Sequence, residues 1–203
     1  MKFRFVPLAV LFGSLTACES GSKVVVTASL TEAGVDGPVA DLPVRLLPYD
    51  RDEILDSLTR TAKEPEPQIP PDLLQQFQGL AAEERAAQAR GDTALARFRA
   101  FRRAVFARAD SVRNARRSWA EKAFGRFDAE VQRRLETADR DELADTTDAS
   151  GTVTFSAEPG RWWVYARYTL PYSELYWNVP MEVTGDSSVV RLSRANAKER
   201  PFL

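Results

Sequence analysis

The residue types that most often carry catalysis are nearly missing from this sequence, which has no histidine and a single cysteine, Cys18. Without histidine there is no imidazole to act as general acid or base, and one cysteine cannot form an intrachain disulfide or a Cys/His zinc site. The common nucleotide-binding, hydrolase-elbow and zinc-protease motifs are also absent from the sequence. The 29 acidic residues leave a carboxylate-dependent hydrolase as an alternative, but no spacing selects a pair. We therefore predict a non-catalytic protein that uses no cofactor and no metal.

An aromatic cluster near the carboxyl end is the first group that could bind a ligand. In a strand over residues 161–170, strict alternation directs Trp162, Val164, Ala166 and Tyr168 towards a core. The opposite face, with a neighbouring tyrosine, then carries the candidate ligand-binding residues Trp163, Tyr165, Arg167 and Tyr176. Exposed aromatic rings offer a carbohydrate or peptidoglycan chain a flat apolar surface with polar edges. The alternative is that this face packs against the helical insertion described below, and we favour that alternative.

An arginine-rich stretch is the second candidate. Residues 97–117 contain eight arginines and one acid, Asp110. Such a stretch could contact anionic lipid head groups, lipopolysaccharide or peptidoglycan carboxylates. The alternative is a solvated helix flank whose long arginine stems cover apolar surface. The candidate anion contacts are Arg99, Arg102, Arg103, Arg113, Arg116 and Arg117.

The amino terminus has the layout of a bacterial export signal. Lys2 and Arg4 precede an apolar run over residues 5–15, which is too short for a permanent spanning helix of about 20 residues. The segment Leu15-Thr16-Ala17-Cys18 resembles the lipobox of bacterial lipoproteins. The resemblance implies cleavage before Cys18 and membrane attachment through acyl chains such as palmitate on that cysteine. An ordinary secretory signal with an unrelated cysteine is the alternative. Because the protein is exported, we expect no nucleic-acid partner.

The elements that must position both candidate groups can be read from periodicity. Residues 23–30 alternate as a strand, residues 34–38 form a turn, and residues 42–47 form a second strand. After a long interruption, further strands are predicted at 152–156, 161–170, 176–184 and 188–192. Six strands with short turns favour a β-sandwich.

The segment between the strands at 42–47 and 152–156 is predicted to be mostly helical. A short helix is predicted at 51–60, and four prolines over residues 63–71 predict an extended linker. A helix over 71–90 then turns at Gly91-Asp92 into an arginine-bearing helix over 93–138 with heptad-like spacing typical of a coiled coil. We favour one unbroken helix of about 70 Å. A break at 114–118 or at Gly125, giving a three-helix bundle, is the alternative.

Three segments resemble the carboxypeptidase regulatory-like, or prealbumin-like, domains. The first runs from Gly37-Pro38 to the strand Val44-Arg45-Leu46, the second is the turn and strand at 147–155, and the third is Pro159-Gly160 with the strand to Ala166. In the turns, Asp148 can close an Asx-turn, and Gly151 and Gly160 can take positive φ. Acids at 139, 141, 142, 145 and 148 could instead be read as a calcium loop, but their order does not follow the EF-hand, and a solvated turn is favoured.

These observations predict an α+β protein, an antiparallel prealbumin-like β-sandwich with a long inserted α-helical hairpin or arm. We divide it into a signal peptide at 1–17, a lipidated tether at 18–22, a sandwich at 23–50 and 145–194, a linker and helical arm at 51–144, and a tail at 195–203. We expect a non-catalytic binding or structural module of the cell envelope, anchored on the outer membrane and facing the periplasm or surface. Its partners would be the membrane, through Cys18, and an unidentified protein or cell-wall component.

Overall fold

The computed structural model describes residues 21–32, 35–185 and 187–203. The predicted signal peptide, the lipid-attachment residue Cys18 and most of the tether lie outside the described residues. Within those ranges the chain is α+β, with nine strands and four α-helices. The strands are β1 Ser22–Glu32, β2 Val35–Pro38, β3 Pro43–Leu47, β4 Leu143–Thr146, β5 Thr152–Ala157, β6 Gly160–Thr169, β7 Ser173–Val183, β8 Ser187–Leu192 and β9 Lys198–Pro201. The helices are α1 Arg51–Arg60, α2 Pro71–Arg90, α3 Asp92–Ala123 and α4 Phe127–Ala138.

The strands form two sheets. In the first, β1 pairs with β2, β5 and β8; in the second, the order is β4-β3-β6-β7-β9. All pairings are antiparallel except that of β1 with β8, which is parallel. Parallel pairing is possible here because the whole length of the chain between residues 32 and 187 serves as the crossover.

One hydrophobic core lies between the two sheets. The first sheet contributes Val24, Val26 and Phe155, and the second contributes Leu46 and Trp162, all buried in the same cluster. The predicted inward face of the aromatic strand is thereby confirmed, since Trp162, Val164 and Ala166 are at most 2% exposed. The two sheets thus pack as layers of a sandwich.

Three short strands were not predicted. β2 occupies the segment expected to be a turn, and β9 lies in the segment expected to be a tail. The third, β4, pairs with β3 at the sheet edge. The sequences of β4 and β9, LADT and KERP, carry no apolar alternation, because edge strands of four residues bury little.

The turns at Asp148 to Gly151 and at Gly160 behave as the sequence predicts. The Asp148 carboxylate accepts hydrogen bonds from the Ser150 and Thr152 backbone N–H groups at 2.9 Å each. Gly151 has φ +72° and Gly160 has φ +132°. A Cβ on Gly151 would lie 2.5 Å from the Ala28 carbonyl oxygen, so the turn requires glycine.

The prediction of one unbroken helix over 93–138 is wrong. α3 ends at Ala123, and α4 begins at Phe127, so the break falls at Gly125, the alternative position. The break turns Phe124 and Phe127 towards a cluster with Leu47, Ile54 and Leu58, which a straight helix would leave uncovered. Burial of these aromatic side chains outweighs the hydrogen bonds that a continuous helix would add.

Candidate functional site

The outer face of the second sheet is covered by the helical insertion, which we define as α1 to α4. Trp163 and Tyr165 pack against a buried cluster that joins β3 to α1 and that α4 completes. Tyr165 and Tyr176 meet edge to face at 5.6 Å, and Tyr176 is only 2% exposed. The helices that cover these rings contribute Ile54, Leu58, Phe127, Val131 and Leu135. Trp163, Tyr165 and Tyr176 therefore form packing contacts and do not line an open stacking groove.

A network of polar side chains connects the helical insertion to the sheet. The Tyr176 hydroxyl donates to the Asp52 carboxylate at 2.5 Å, and Lys198 Nζ lies 2.6 Å from its other oxygen. The Asp50 carboxylate accepts from Asn178 Nδ2 at 2.7 Å while it caps the amino end of α1. These bonds connect α1 to β7 and β9 and hold the insertion in one register on the sheet.

Electrostatics in this network follow from burial and charge. Burial raises the pKa of the Tyr176 phenol well above its usual range, and the hydrogen bond to Asp52 adds to that rise. For Asp52 burial alone would raise the pKa, but the hydrogen bonds from Lys198 and Tyr176 outweigh it and the pKa is lowered. The network thus consists of a neutral tyrosine hydrogen-bonded to a charged aspartate. Its role is to position α1 on the sheet.

The arginine-rich stretch divides into two groups. Arg102 donates to the Tyr172 hydroxyl at 3.3 Å, Arg113 pairs with Asp110, and Arg116 pairs with Glu66 at 2.5 Å. In the same way Arg108 pairs with Asp72 at 2.6 Å. Across the described ranges, no ion pair or hydrogen bond is formed by the side chains of Arg97, Arg99, Arg103 and Arg117. Three of these four lie in the half of α3 nearest its start.

Tyr172 attaches the hairpin of α2 and α3 to the sandwich. Its hydroxyl donates to Glu84 at 2.6 Å and accepts from Arg102, and its ring lies 6.3 Å from that of Phe106. Burial raises the pKa of the Tyr172 phenol, and the hydrogen bond to Glu84 raises it further. We call α2, α3 and the turn between them the basic hairpin. The sequence includes Tyr172 in its aromatic cluster but does not predict its contact with Glu84, because contacts 88 residues apart leave no local pattern.

The basic hairpin projects from one end of the sandwich. Ser22 pairs with Ala157, and β6 begins three residues later, so Gly160 lies at the same end as the start of β1. Tyr172 follows the far end of β6 and therefore lies at the opposite end. From Arg102, which contacts Tyr172, to the start of α3 at Asp92 is about 15 Å of helix. The exposed arginines of the hairpin therefore lie away from the end where the chain leaves the predicted tether.

A groove of about 430 Å³ lies where α3 passes the end of β6 and the start of β7. Arg167, exposed on the sheet, forms an ion pair with Glu174 here. The groove is also lined by Glu66, which Arg116 holds. Both carboxylates of the groove are thus paired with arginine. The same groove is lined by Arg113, Arg116 and Arg117. The structure therefore brings these three candidate anion contacts together with Arg167.

No catalytic constellation emerges from these contacts. Among the described residues no cluster of three or more His, Cys, Asp or Glu side chains could hold a metal ion. The same part of the chain has no helix that combines the length and apolarity needed to cross a membrane. The described residues instead place paired and unpaired arginine side chains on one surface, and such cations can bind anions.

Comparisons with known proteins identify no family. No family model matches the sequence. No curated protein matches it either. A "putative carbohydrate binding protein" from Pseudomonas aeruginosa is similar at 11% identity and a TM-score of 0.33, over 86% of this chain and 89% of that one. The pilus backbone from Streptococcus pneumoniae is similar at 10% identity and a TM-score of 0.30, over 85% of this chain and 41% of the pilus protein. Likeness at this level assigns neither fold nor function.

Proposed function

We propose that this protein is a lipid-anchored, non-catalytic binding module of the bacterial cell envelope. Its proposed attachment residue is Cys18, and its proposed location is the outer membrane, facing the periplasm or surface. We further propose a carboxypeptidase regulatory-like, prealbumin-like sandwich, supported by the Asx-turn at Asp148 and the positive φ of Gly151 and Gly160. The sandwich would act as the membrane-side support, and the basic hairpin as the contact surface.

One observation carries the choice of contact surface. Arg97, Arg99 and Arg103 are exposed, and within the described residues they form no ion pair or hydrogen bond. They lie on the hairpin at the end of the sandwich opposite the start of β1. Arginine binds carboxylates through a planar fork of donors, so the hairpin suits a carboxylate-bearing cell-wall partner.

Carbohydrate binding on the aromatic face has less support. A glycan could stack on Trp163, Tyr165 and Tyr176 only after α1 and α4 left the sheet, which would break the Asp52 network and expose the cluster beneath. If the cover stays closed, intrinsic tryptophan fluorescence should not shift when cell-wall glycans are added.

The anchoring proposal is tested by replacing Cys18 in cells. The wild-type protein should incorporate labelled palmitate and sediment with membranes, because multiple acyl chains attach essentially irreversibly. Cys18→Ala should lose the label and appear in the soluble envelope fraction. Retention of Cys18→Ala on membranes with unchanged labelling would contradict anchoring through this residue.

The contact surface is tested by co-sedimentation of the full chain with purified peptidoglycan. Arg99→Gln/Arg103→Gln should weaken binding about tenfold, and binding should fall with added salt, since the contacts are exposed charge pairs. Arg133→Gln/Arg194→Gln is the matched control, because it also removes two positive charges, but from ion pairs with Glu130 and Glu199. Equal binding by the double variant and the control would exclude the hairpin as the contact surface.

A further inference from the structure

A second cavity lies beside the basic hairpin, between the end of α1, the linker that follows it and the end of α3. Its volume is about 550 Å³, within the range of cavities that hold small molecules. Leu58 and Trp119 form its apolar floor and are 4% and 7% exposed. The proposed function does not use this cavity.

The rim of the cavity is cationic. Lys63 from the linker, Lys122 from α3 and Arg126 from the turn before α4 all line it, against one acid, Glu64. Within the described ranges none of the three cations forms an ion pair or hydrogen bond. Arg126 does interact electrostatically with Glu130 of α4. The lining still carries three positive charges against one negative charge, in a protein whose formal net charge is -1.

The cavity is also held in shape before any ligand arrives. The Trp119 indole N–H donates to the Glu64 carbonyl oxygen at 2.8 Å, which fixes the linker next to Lys63. Arg116 donates to the Pro67 carbonyl oxygen at 3.2 Å and fixes the linker further along. A rim fixed in this way loses little conformational entropy on binding.

We propose that this basic cavity binds a phosphate monoester carried on an apolar or aromatic body. The apolar part would lie on Trp119 and Leu58, and the phosphate would sit among the three cations of the rim. Two of these cations are lysines, which bind phosphate as point charges, and three positive groups match a dianion better than a single carboxylate. The ester can belong to a soluble metabolite or to a lipid head group, since the recognised chemistry is the same.

The test uses the full chain in phosphatidylcholine nanodiscs and three probes: 1-naphthyl phosphate, inorganic phosphate and the uncharged 1-naphthyl glucoside. Isothermal titration calorimetry should show naphthyl phosphate binding at least tenfold more tightly than either other probe. If the glucoside binds as tightly as the phosphate ester, or if no probe binds at millimolar concentration, the proposal is overturned.

Charge variants locate the binding. Lys122→Ala/Arg126→Ala should weaken naphthyl phosphate binding at least tenfold, and Lys63→Ala alone should weaken it severalfold. The matched control, Lys23→Ala/Arg191→Ala, likewise removes one lysine and one arginine that form no ion pair or side-chain hydrogen bond within the described residues, but from the first sheet, and should leave binding unchanged. Equal loss in both double variants would show nonspecific charge attraction and overturn the proposal.

Adding phosphatidic acid to the nanodisc distinguishes the two sources of ester. Competition with naphthyl phosphate would identify a lipid head group as the ligand, and binding that is unaffected would identify a soluble ester. Because none of these readouts involves Cys18 or peptidoglycan, the cavity can fail while the proposed function stands, and the reverse.

Discussion

Asp52 is the residue at which the helical insertion meets the two last strands of the second sheet. Its carboxylate accepts hydrogen bonds from Tyr176 of β7 and Lys198 of β9. A guanidinium nitrogen of Arg200 lies 3.9 Å from the same carboxylate. Arg200 in turn lies over the Tyr176 ring at 3.6 Å. Removing one member of such a network leaves a partly buried charge with fewer partners. The resulting loss of folding stability is larger than the loss on removing an exposed ion pair.

Tyr176→Phe should destabilise the protein by about 2 kcal/mol, because a hydrogen bond to a charged group is lost and the ring is kept. Urea unfolding of the full chain measures this change. Tyr168→Phe is the control: Tyr168 is partly buried against the core, and its hydroxyl has no hydrogen bond within the described residues. A loss of equal size in both variants would show that the Asp52 contact contributes nothing.

The same carboxylate predicts a pH dependence. The folded-state pKa of Asp52 is lowered, so its contribution to stability is present above the unfolded value of about 4 and is lost as pH falls through the folded pKa. Asp52→Asn should be less stable than wild type at pH 7, and the difference should shrink below pH 4. Unfolding curves from pH 7 to pH 2.5 test this, and a difference independent of pH would contradict it.

At the scale of elements, the basic hairpin depends on helix propensity as well as packing. Leu73, Phe77 and Leu80 of α2 are buried against α3, where Phe98 and Val105 are buried in the same cluster. The connection is short, because α2 ends at Arg90 and α3 begins at Asp92. Gly91 between them has φ +92°, a conformation that favours glycine.

Replacing each of two glycines of the hairpin by alanine should change the stability of the protein in opposite directions. A Cβ would meet nothing within 4 Å at Gly79 or at Gly91, but only Gly91 has positive φ. Gly79→Ala should stabilise the protein by about 1 kcal/mol, since alanine is the better helix former. Gly91→Ala should destabilise it by about 1 kcal/mol, because the native backbone conformation is unfavourable for alanine. Thermal unfolding measures both, and changes of the same sign would contradict this account of the turn.

At the scale of the whole molecule, the connection of β5 to β6 decides which way the hairpin points. The start of β1 and the turn at Glu158 share one end of the sandwich, and Tyr172 lies at the other. A ten-residue strand spans about 33 Å, and the hairpin adds about 15 Å beyond Tyr172. If the protein is anchored through Cys18 as proposed, the start of β1 should lie nearest the lipid and the hairpin should be held far from the bilayer.

Energy transfer to acceptor-labelled lipid head groups tests this orientation. Donor dyes are placed on Glu158→Cys and, separately, on Ala100→Cys, in lipidated protein whose own Cys18 is blocked by acylation. Transfer should be efficient from position 158 and weak from position 100, because efficiency falls steeply over the lengths given above. Equal transfer from both positions would show that the hairpin lies along the membrane.

The sequence alone predicted those features that depend on neighbours along the chain. Alternation identified the strands from β5 to β8 and the inward face of Trp162, because a strand buries every second residue. Asp148, Gly151 and Gly160 identified their turns, because backbone conformation restricts residue type locally. The helices of the hairpin followed from apolar spacing and from Gly91-Asp92.

Only the tertiary structure decided which surfaces are open. Arginines 99 and 102 look alike in the sequence, yet Tyr172 and Glu84, distant in the chain, hold Arg102 and leave Arg99 unpaired. The break at Gly125 and the covering of Trp163 likewise depend on a cluster assembled from β3, α1 and α4. Such contacts join residues far apart in sequence, and their energy depends on which buried partner each side chain meets, so local spacing does not encode them.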